Sequence, residues 1–249
     1  MEAMILAAGL GTRLSPLTDR MPKALIPVRG RPLLSHVMDR LAAAGATRLV
    51  VNTCRDADQI AHYLASHTPP GVEVALSHEP DGPYDTGGGL VAAAHLFRRE
   101  GPILLHAVDV LSRIPLEVLL AEHGAARERL GNEVLATLAV QERLTLRRLL
   151  FDDHGLMGWE RRGVDGRAEE SRRVREPVGG LRDLAFAGIH VVEPAILDLT
   201  DRTGAFPLRT AYLDLAARGF LIQAVDVSAH QWLDVGTPER LREAEAGSW

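Results

Sequence analysis

The hydrophobic pattern of the chain begins with an uninterrupted apolar run at 3–7, which predicts a strand buried on both faces. A glycine-containing segment at 8–13 follows, and Pro16, Pro22 and Pro27 keep the next stretch from being helical. Leu33, Leu34, Val37, Met38 and Leu41 then recur at helical spacing, predicting a helix over 32–44 with Pro32 at its start and Gly45 at its end. The same reading places strands at 48–52 and 72–77 and a helix at 56–66. After a turn-rich loop at 78–86, it places a helix at 88–97 and a strand at 102–108 that ends on Asp109. This strand–helix alternation predicts a mostly parallel sheet with helices on both faces.

After Pro115 the rhythm changes. A helix to residue 130 leads to apolar stretches at 133–140, 145–151 and 156–160, the last two joined by Asp152-Asp153-His154-Gly155 as in an antiparallel hairpin. Residues 161–182 are charged and glycine-containing and are expected to be irregular or mobile. Strands at 184–192, 221–226 and 232–234, a short helix from 194, a helix at 207–218 and a last helix from 238 complete the reading. No repeat or low-complexity linker is present, so one domain over 1–249 with an inserted antiparallel portion is expected, its two halves meeting near Pro115 as 1–115 and 116–249.

Composition narrows the class. The 249 residues are 46% hydrophobic and 24% charged with a net charge of -5, the profile of a globular protein. Scattered basic residues argue against nucleic acid as a partner. No apolar stretch is long enough to cross a bilayer, and the acidic Glu2 beside a short apolar run does not read as a secretory leader. A cytoplasmic setting is expected, and the lone Cys54 excludes an intrachain disulfide and a paired-cysteine zinc site. The ten histidines form no compact ligand cluster, and Trp159, Trp232 and Trp249 read as packing residues. Of 28 basic residues only Lys23 is a lysine. Coding bias plus chance could leave a single lysine; the sharper reading, which its surroundings favour, is that Lys23 must be a compact ammonium on a flexible stem, a role the planar guanidinium fills poorly.

Lys23 lies within LAAGLGTRLSPLTDRMPKALIPV, residues 6–28, where the first strand runs into Gly9-Leu10-Gly11-Thr12-Arg13. The third glycine of a dinucleotide fingerprint is missing, and Lys23 follows a proline instead of the glycine of a P-loop. What remains is a loop whose backbone N–H groups can surround phosphate oxygens, with Arg13 and Lys23 supplying positive charge.

This string resembles the signature of the sugar-1-phosphate nucleotidyltransferases, also called nucleotide-sugar pyrophosphorylases. Further similarity lies in Glu79-Pro80 with Thr86-Gly87-Gly88-Gly89, Asp109, Ala187-Gly188-Ile189 and Trp232-Leu233-Asp234-Val235-Gly236-Thr237, so it runs through nearly the whole chain. It is weakest over 116–182, and the TGGG, GAF and PERL segments are most similar to the short bacterial members. The resemblance implies a Rossmann-like, mostly parallel mixed sheet flanked by helices with an inserted antiparallel portion, the nucleotide-diphospho-sugar transferase fold. It implies that Leu6, Ala7, Ala8, Gly9, Gly11, Thr12, Arg13, Lys23, Glu79, Thr86, Gly87 and Gly88 bind the nucleotide, with Arg13 and Lys23 catalytic. Val108, Gly158, Arg175 and Gly188 would bind the sugar phosphate, and Asp109 and Asp234 would hold Mg²⁺. The implied partners are a sugar-1-phosphate and either UTP, as in transfer to N-acetylmuramate-1-phosphate, or GTP, as in transfer to mannose- or heptose-1-phosphate; a homo-oligomer is compatible with it.

Taken alone, an aspartate at a strand end is more often a turn or cap residue, and Thr86-Gly87-Gly88 could simply cap a helix. Two positions depart from the family's pattern. Ala107-Val108 replace the Asn-Gly common before the first metal aspartate, setting a side chain where the acceptor would pass close to backbone. Arg175-Glu176-Pro177 replaces Glu-Lys-Pro, which makes Arg175 the candidate cation for the sugar phosphate, with Arg172 and Arg173 nearby. Two alternatives stand beside the enzyme reading: a catalytically silent nucleotide-sugar-binding relative, and a glycosyltransferase.

Overall fold

The computed structural model describes residues 1–247 and 249. In chain order the elements are β1 (Glu2–Leu6), β2 (Pro27–Val28), β3 (Arg31–Pro32), α1 (Leu33–Ala43), β4 (Arg48–Thr53), α2 (Ala57–His67), β5 (Glu73–His78), α3 (Asp85–Ala92), β6 (Ile103–Ala107) and β7 (Val110–Ser112). They continue with α4 (Leu116–Leu130), β8 (Val134–Gln141), β9 (Arg147–Asp152), β10 (Gly155–Arg162), β11 (Ala168–Arg173) and β12 (Arg182–Val192). The last are α5 (Ile196–Leu199), α6 (Leu208–Ala217), β13 (Leu221–Asp226), β14 (Trp232–Asp234) and α7 (Pro238–Glu245).

β5, β4, β1 and β6 are parallel neighbours at one end of a mixed sheet. Both faces of β4, β1 and β6 are buried, whereas the edge strand β5 is largely half-exposed. Ala3 and Ile5 of β1 and Leu104 of β6 pack with α1, α2 and the start of α4, whereas Met4, Ile103 and Leu105 pack with α3 and α6 on the other face. This is why the strands read as apolar runs without alternation. α1 follows its predicted stripe, and Gly45 at φ 91 ends it while Ala46 N–H bonds back to Leu41 O at 2.9 Å.

β12 joins this sheet to the antiparallel portion. Its C-terminal residues, Ile189 to Val192, pair with β6, and its N-terminal residues, Arg182 to Leu184, pair with β9. Along its other edge β8 pairs with it across a register shift between Phe186 and His190, and Gly188 in that bulge sits at φ 77. A Cβ at Gly188 would come within 2.9 Å of Val110 Cγ2, so the bend needs glycine for both space and conformation.

Three sequence expectations change. Residues 161–182 are not irregular throughout: β11 pairs antiparallel with β10, and Arg161–Glu169 at 2.6 Å and Arg172–Asp214 at 2.6 Å support a strand with no apolar alternation. The helix expected at 88–97 starts at Asp85 and gives way at Ala93–Leu96 to a tighter 3-10 turn. The expected strand at 102–108 stops at Ala107, and β7 then departs to pair with β14 as a separate two-stranded ribbon.

Candidate active site

The phosphate-type loop leaves β1 under firm control. Ala7 N–H donates to Asn52 Oδ1 at 2.7 Å, and the chain then makes three short turns at Thr12–Leu14, Leu17–Asp19 and Lys23–Leu25. Gly11 sits at φ 63, its carbonyl accepting from Leu14 N–H at 2.8 Å and Thr18 Oγ1 at 3.0 Å. A Cβ there would press on Thr18 and on the Lys23 stem, at 2.8 and 3.1 Å. Gly9 is different: it is exposed and nothing lies within 4 Å of its would-be Cβ, so its backbone is bare to an incoming ligand. Leu6 and Arg13 line the adjoining cleft, Thr12 is exposed, and Ala7 and Ala8 are buried beneath the loop.

Lys23 is 8% exposed and its ammonium forms an ion pair with Asp109. The β7–β14 ribbon brings Asp234 to the same place. Asp234 is in register with Val110, and Val235 N–H donates to Asp109 O at 2.7 Å, so the two candidate metal ligands, 125 positions apart in sequence, become neighbours. Arg13 completes the group: its guanidinium lies against Gly236, where a Cβ would meet Nη2 at 2.8 Å. Two carboxylates with no third His, Cys, Asp or Glu close enough among the described residues form a sparse donor set. That suits a hard cation that completes its octahedron with phosphate oxygens and water.

The adjoining cleft has a volume of about 840 Å³ and is lined by Arg13, Arg143, Arg147 and Arg209 against only Asp85 and Asp234. In a chain of net charge -5 this local excess of cations concentrates anions where they are needed. Gly188 and Ala107 line it, and the β12 bulge shapes its wall. Backbone carbonyls freed there are taken up by side chains: Arg143 donates to Phe186 O at 2.8 Å and Trp232 Nε1 to Ala187 O at 2.7 Å. Arg143 stacks 3.9 Å above the Trp232 ring; burial lowers its pKa and the nearby Asp234 charge raises it. His190 and Tyr212 meet at 2.6 Å in the same wall. Burial pushes the His190 imidazole down to about 3, so it is neutral, and its Nε2 has no partner.

Several sequence-predicted residues are placed differently. Glu79 is fully buried, with one oxygen accepting from Asn52 Nδ2 at 2.7 Å and the other from Tyr84 N–H at 2.6 Å, so it fixes the loop instead of facing a ligand. Gly87 and Gly88 direct their N–H groups to Phe206 O at 2.9 and 3.2 Å; added Cβ atoms would strike the Phe206 ring at 2.3 Å and Gly204 O at 2.2 Å. Their glycines are there for helix packing. Thr86 lines the cleft, but its hydroxyl accepts from Leu208 N–H at 2.9 Å. Val108 is 3% exposed within the core, so the side chain expected to crowd the acceptor points away. Gly158 lies inside the sheet, where a Cβ would meet Arg172 O at 2.9 Å. Arg175 is bound to the buried Asp152, with Nη2 to Oδ1 at 2.6 Å, and does not line the cleft. Asn52, Arg143, Arg147, Arg209 and His190 went unnoticed in the sequence because they share no local spacing; only their common strand-end or cleft position marks them.

Comparison with known proteins agrees with this geometry. The profile of the nucleotidyl transferase family matches residues 2–144. The N-acetylmuramate alpha-1-phosphate uridylyltransferase of Neisseria meningitidis serogroup B is 34% identical, with both chains covered in full. That of Caulobacter vibrioides is 31% identical, over 98% of this chain and 95% of its own. The mannose-1-phosphate guanyltransferase of Pichia angusta is 28% identical over 96% of this chain but 62% of its own. Among solved structures, a UDP-glucose pyrophosphorylase from Acinetobacter baumanii superposes with a TM-score of 0.75 at 17% identity, covering 98% of this chain and 91% of its own. The inositol-1-phosphate CTP transferase of T. maritima gives 0.69 at 17% identity, covering 100% and 97%. A glycine loop that aims Lys23 at Asp109, a ribbon that delivers Asp234, the family profile over residues 2–144 and a full-length match at 34% identity converge on one statement: the chain belongs to the nucleotidyl transferase family, with the nucleotide-diphospho-sugar transferase fold.

Proposed function

We propose that this protein transfers a uridylyl group from UTP to N-acetylmuramate 1-phosphate, releasing pyrophosphate and forming the UDP-sugar. The observation that carries the reading is the meeting of Lys23, Asp109 and Asp234 beside a glycine loop at the mouth of an arginine-lined cleft. An oxygen of the sugar phosphate attacks the α-phosphorus, and the bond to the bridging oxygen of pyrophosphate breaks on the opposite side. The nucleophile is already anionic at neutral pH, since the second pKa of a phosphate monoester is about 6, so no general base is needed. The task is to hold two polyanions in line and offset their repulsion.

Each residue has a part in that task. The bare backbone from Gly9 to Thr12 and the Arg13 guanidinium hold the β- and γ-phosphates that leave. The Lys23 ammonium, steered by Asp109, sits where it can neutralise charge between the α-phosphate and the acceptor phosphate. Asp109 and Asp234 would hold Mg²⁺, which when bound supplies a further positive charge to the phosphates. Arg143, fixed on Trp232 and Phe186 O beside Asp234, faces the acceptor phosphate.

UTP and N-acetylmuramate 1-phosphate are favoured because the uridylyltransferases match over the length of both chains, whereas the guanyltransferase match leaves more than a third of that protein uncovered. The test is pyrophosphate release from a grid of nucleoside triphosphates and sugar 1-phosphates, with Mg²⁺ and with EDTA. We expect release confined to the UTP pair and abolished by EDTA. A stronger signal from GTP with mannose 1-phosphate would move the assignment to that class, and binding of UDP-sugar without any release would make the protein a silent relative.

A further inference from the structure

The cleft holds more positive charge than the phosphates account for. Arg147 on β9 and Arg209 on α6 line it, and neither has a hydrogen-bonding or ion-pairing acceptor for its guanidinium among the described residues. Nearby arginines are treated differently: Arg172 and Arg202 share Asp214 at 2.6 and 2.5 Å, and Arg162 binds Asp183 at 2.7 Å. Where an acid was needed to neutralise an arginine in this region, the fold supplied one.

Arg209 is also held in place. Its guanidinium lies 4.1 Å above the ring of Trp159, itself only 5% exposed, so the planar fork is immobilised without its donors being used. Burial and then the Arg147 charge lower its pKa, against weaker opposing effects of Asp85 and Glu170, which shows two like charges brought together in a partly desolvated place. Tyr212 is three residues further along α6, on the same face, and its partner His190 presents a buried Nε2 without a partner in the same wall. Two guanidinium groups with free donors lining one hollow, one of them clamped on Trp159, make a built site for an oxyanion.

We propose that Arg147 and Arg209, backed by Trp159, bind a carboxylate carried by the sugar itself, so that the enzyme selects acidic sugar 1-phosphates over neutral ones. This rests on the proposed transfer to a sugar 1-phosphate and adds the residues that decide which sugar is accepted. The carboxylate accepts hydrogen bonds from both guanidinium groups, and a sugar without it leaves their donors without that acceptor.

The test compares kcat/KM, with UTP, for N-acetylmuramate 1-phosphate and N-acetylglucosamine 1-phosphate, which differ by the lactyl ether bearing the carboxylate. Wild type, Arg147→Ala, Arg209→Ala and Arg209→Lys are measured alongside their thermal melts. Arg147 is exposed and Arg209→Lys keeps the charge, so these two variants remain informative if Arg209→Ala fails to fold. Wild type should favour the carboxylated sugar at least about tenfold, and each alanine variant should cut that ratio at least about tenfold, with Arg209→Lys in between. Pyrophosphate release with ratios unchanged in Arg147→Ala and Arg209→Lys would overturn the subsite alone. No release from either sugar by the wild type would overturn the transfer reading, and the subsite with it.

Discussion

The two ends of the cleft are built by different means. At the end proposed to hold the triphosphate, one stretch of chain from Leu6 to Val28 supplies the Gly11 turn, Arg13 and Lys23, and the β7–β14 ribbon brings two aspartates beside them. At the end proposed for the acceptor, Arg143, Arg147, Trp159, Gly188 and Arg209 arrive from different strands, loops and a helix, with Arg143 and Arg209 each stacked on a tryptophan. Triphosphate geometry is invariant, so a contiguous loop can specialise in it. Sugars differ, and a wall of separate side chains can be altered one position at a time.

That contrast can be broken experimentally, most forcefully at the phosphate end. Lys23→Ala or Asp109→Ala should lower kcat by about 10²–10³-fold, equally for every accepted sugar, because each removes charge stabilisation shared by all of them. Lys23→Arg should not restore full activity, since a planar guanidinium fork does not reproduce the compact ammonium placed at Asp109. A loss confined to one sugar, read by pyrophosphate release, would undo the division of labour.

Next in size is Asp152→Ala. Arg175, together with the N–H groups of Val178 and His154 at 2.7 and 2.9 Å, would lose its acceptor, and stability should fall by about 2–3 kcal/mol in chemical denaturation. The sugar preference should stay as it is; a changed preference would return Arg175 to the acceptor site. The Asp152 carboxyl is held well below the usual range, first by its bond to Arg175. Its contribution is therefore present above the unfolded-state value of about 4 and is lost as pH falls below it.

Gly88→Ala should cost about 1–3 kcal/mol by driving α3 away from the Gly204 carbonyl, with a lowered Tm and little effect on acceptor choice. The most gradual expected effect is a pH slope. Burial lowers His106 to about 4 and His190 to about 3, so the unfolded chain binds their protons first. Stability contributed by keeping them neutral is complete above about pH 6.5 and declines as pH falls toward those values. The slope of denaturation midpoints across that window should flatten in His106→Gln; an unchanged slope would show that His106 does not contribute to it.

Much of the fold was legible because parallel strands buried on both faces announce themselves as apolar runs, as Ala3 to Leu6 and Leu49 to Val51 do. β11 was hidden because AEESRR offers no alternation; its order comes from the β10 ladder and cross-strand ion pairs. β7 was hidden because three residues are too few to show a period, and its partner is remote in sequence. At the site, Gly9 to Lys23 could be read because the loop is local. Glu79, Gly87 and Gly88 could be located but not assigned, since only coordinates reveal whether a polar group faces a ligand or a neighbour. Arg147 and Arg209 carried no signal at all among so many arginines.

β12 has a consequence for motion. One continuous strand is hydrogen-bonded to β6 near its end and to β9 near its start, with the bulge at Gly188 between them. A hinge that swung one side of the cleft against the other would have to tear that shared ladder. The two sides of the cleft are therefore expected to move as one body with the sheet, leaving ligand entry to exposed side chains at its rim such as Arg13 and Arg147.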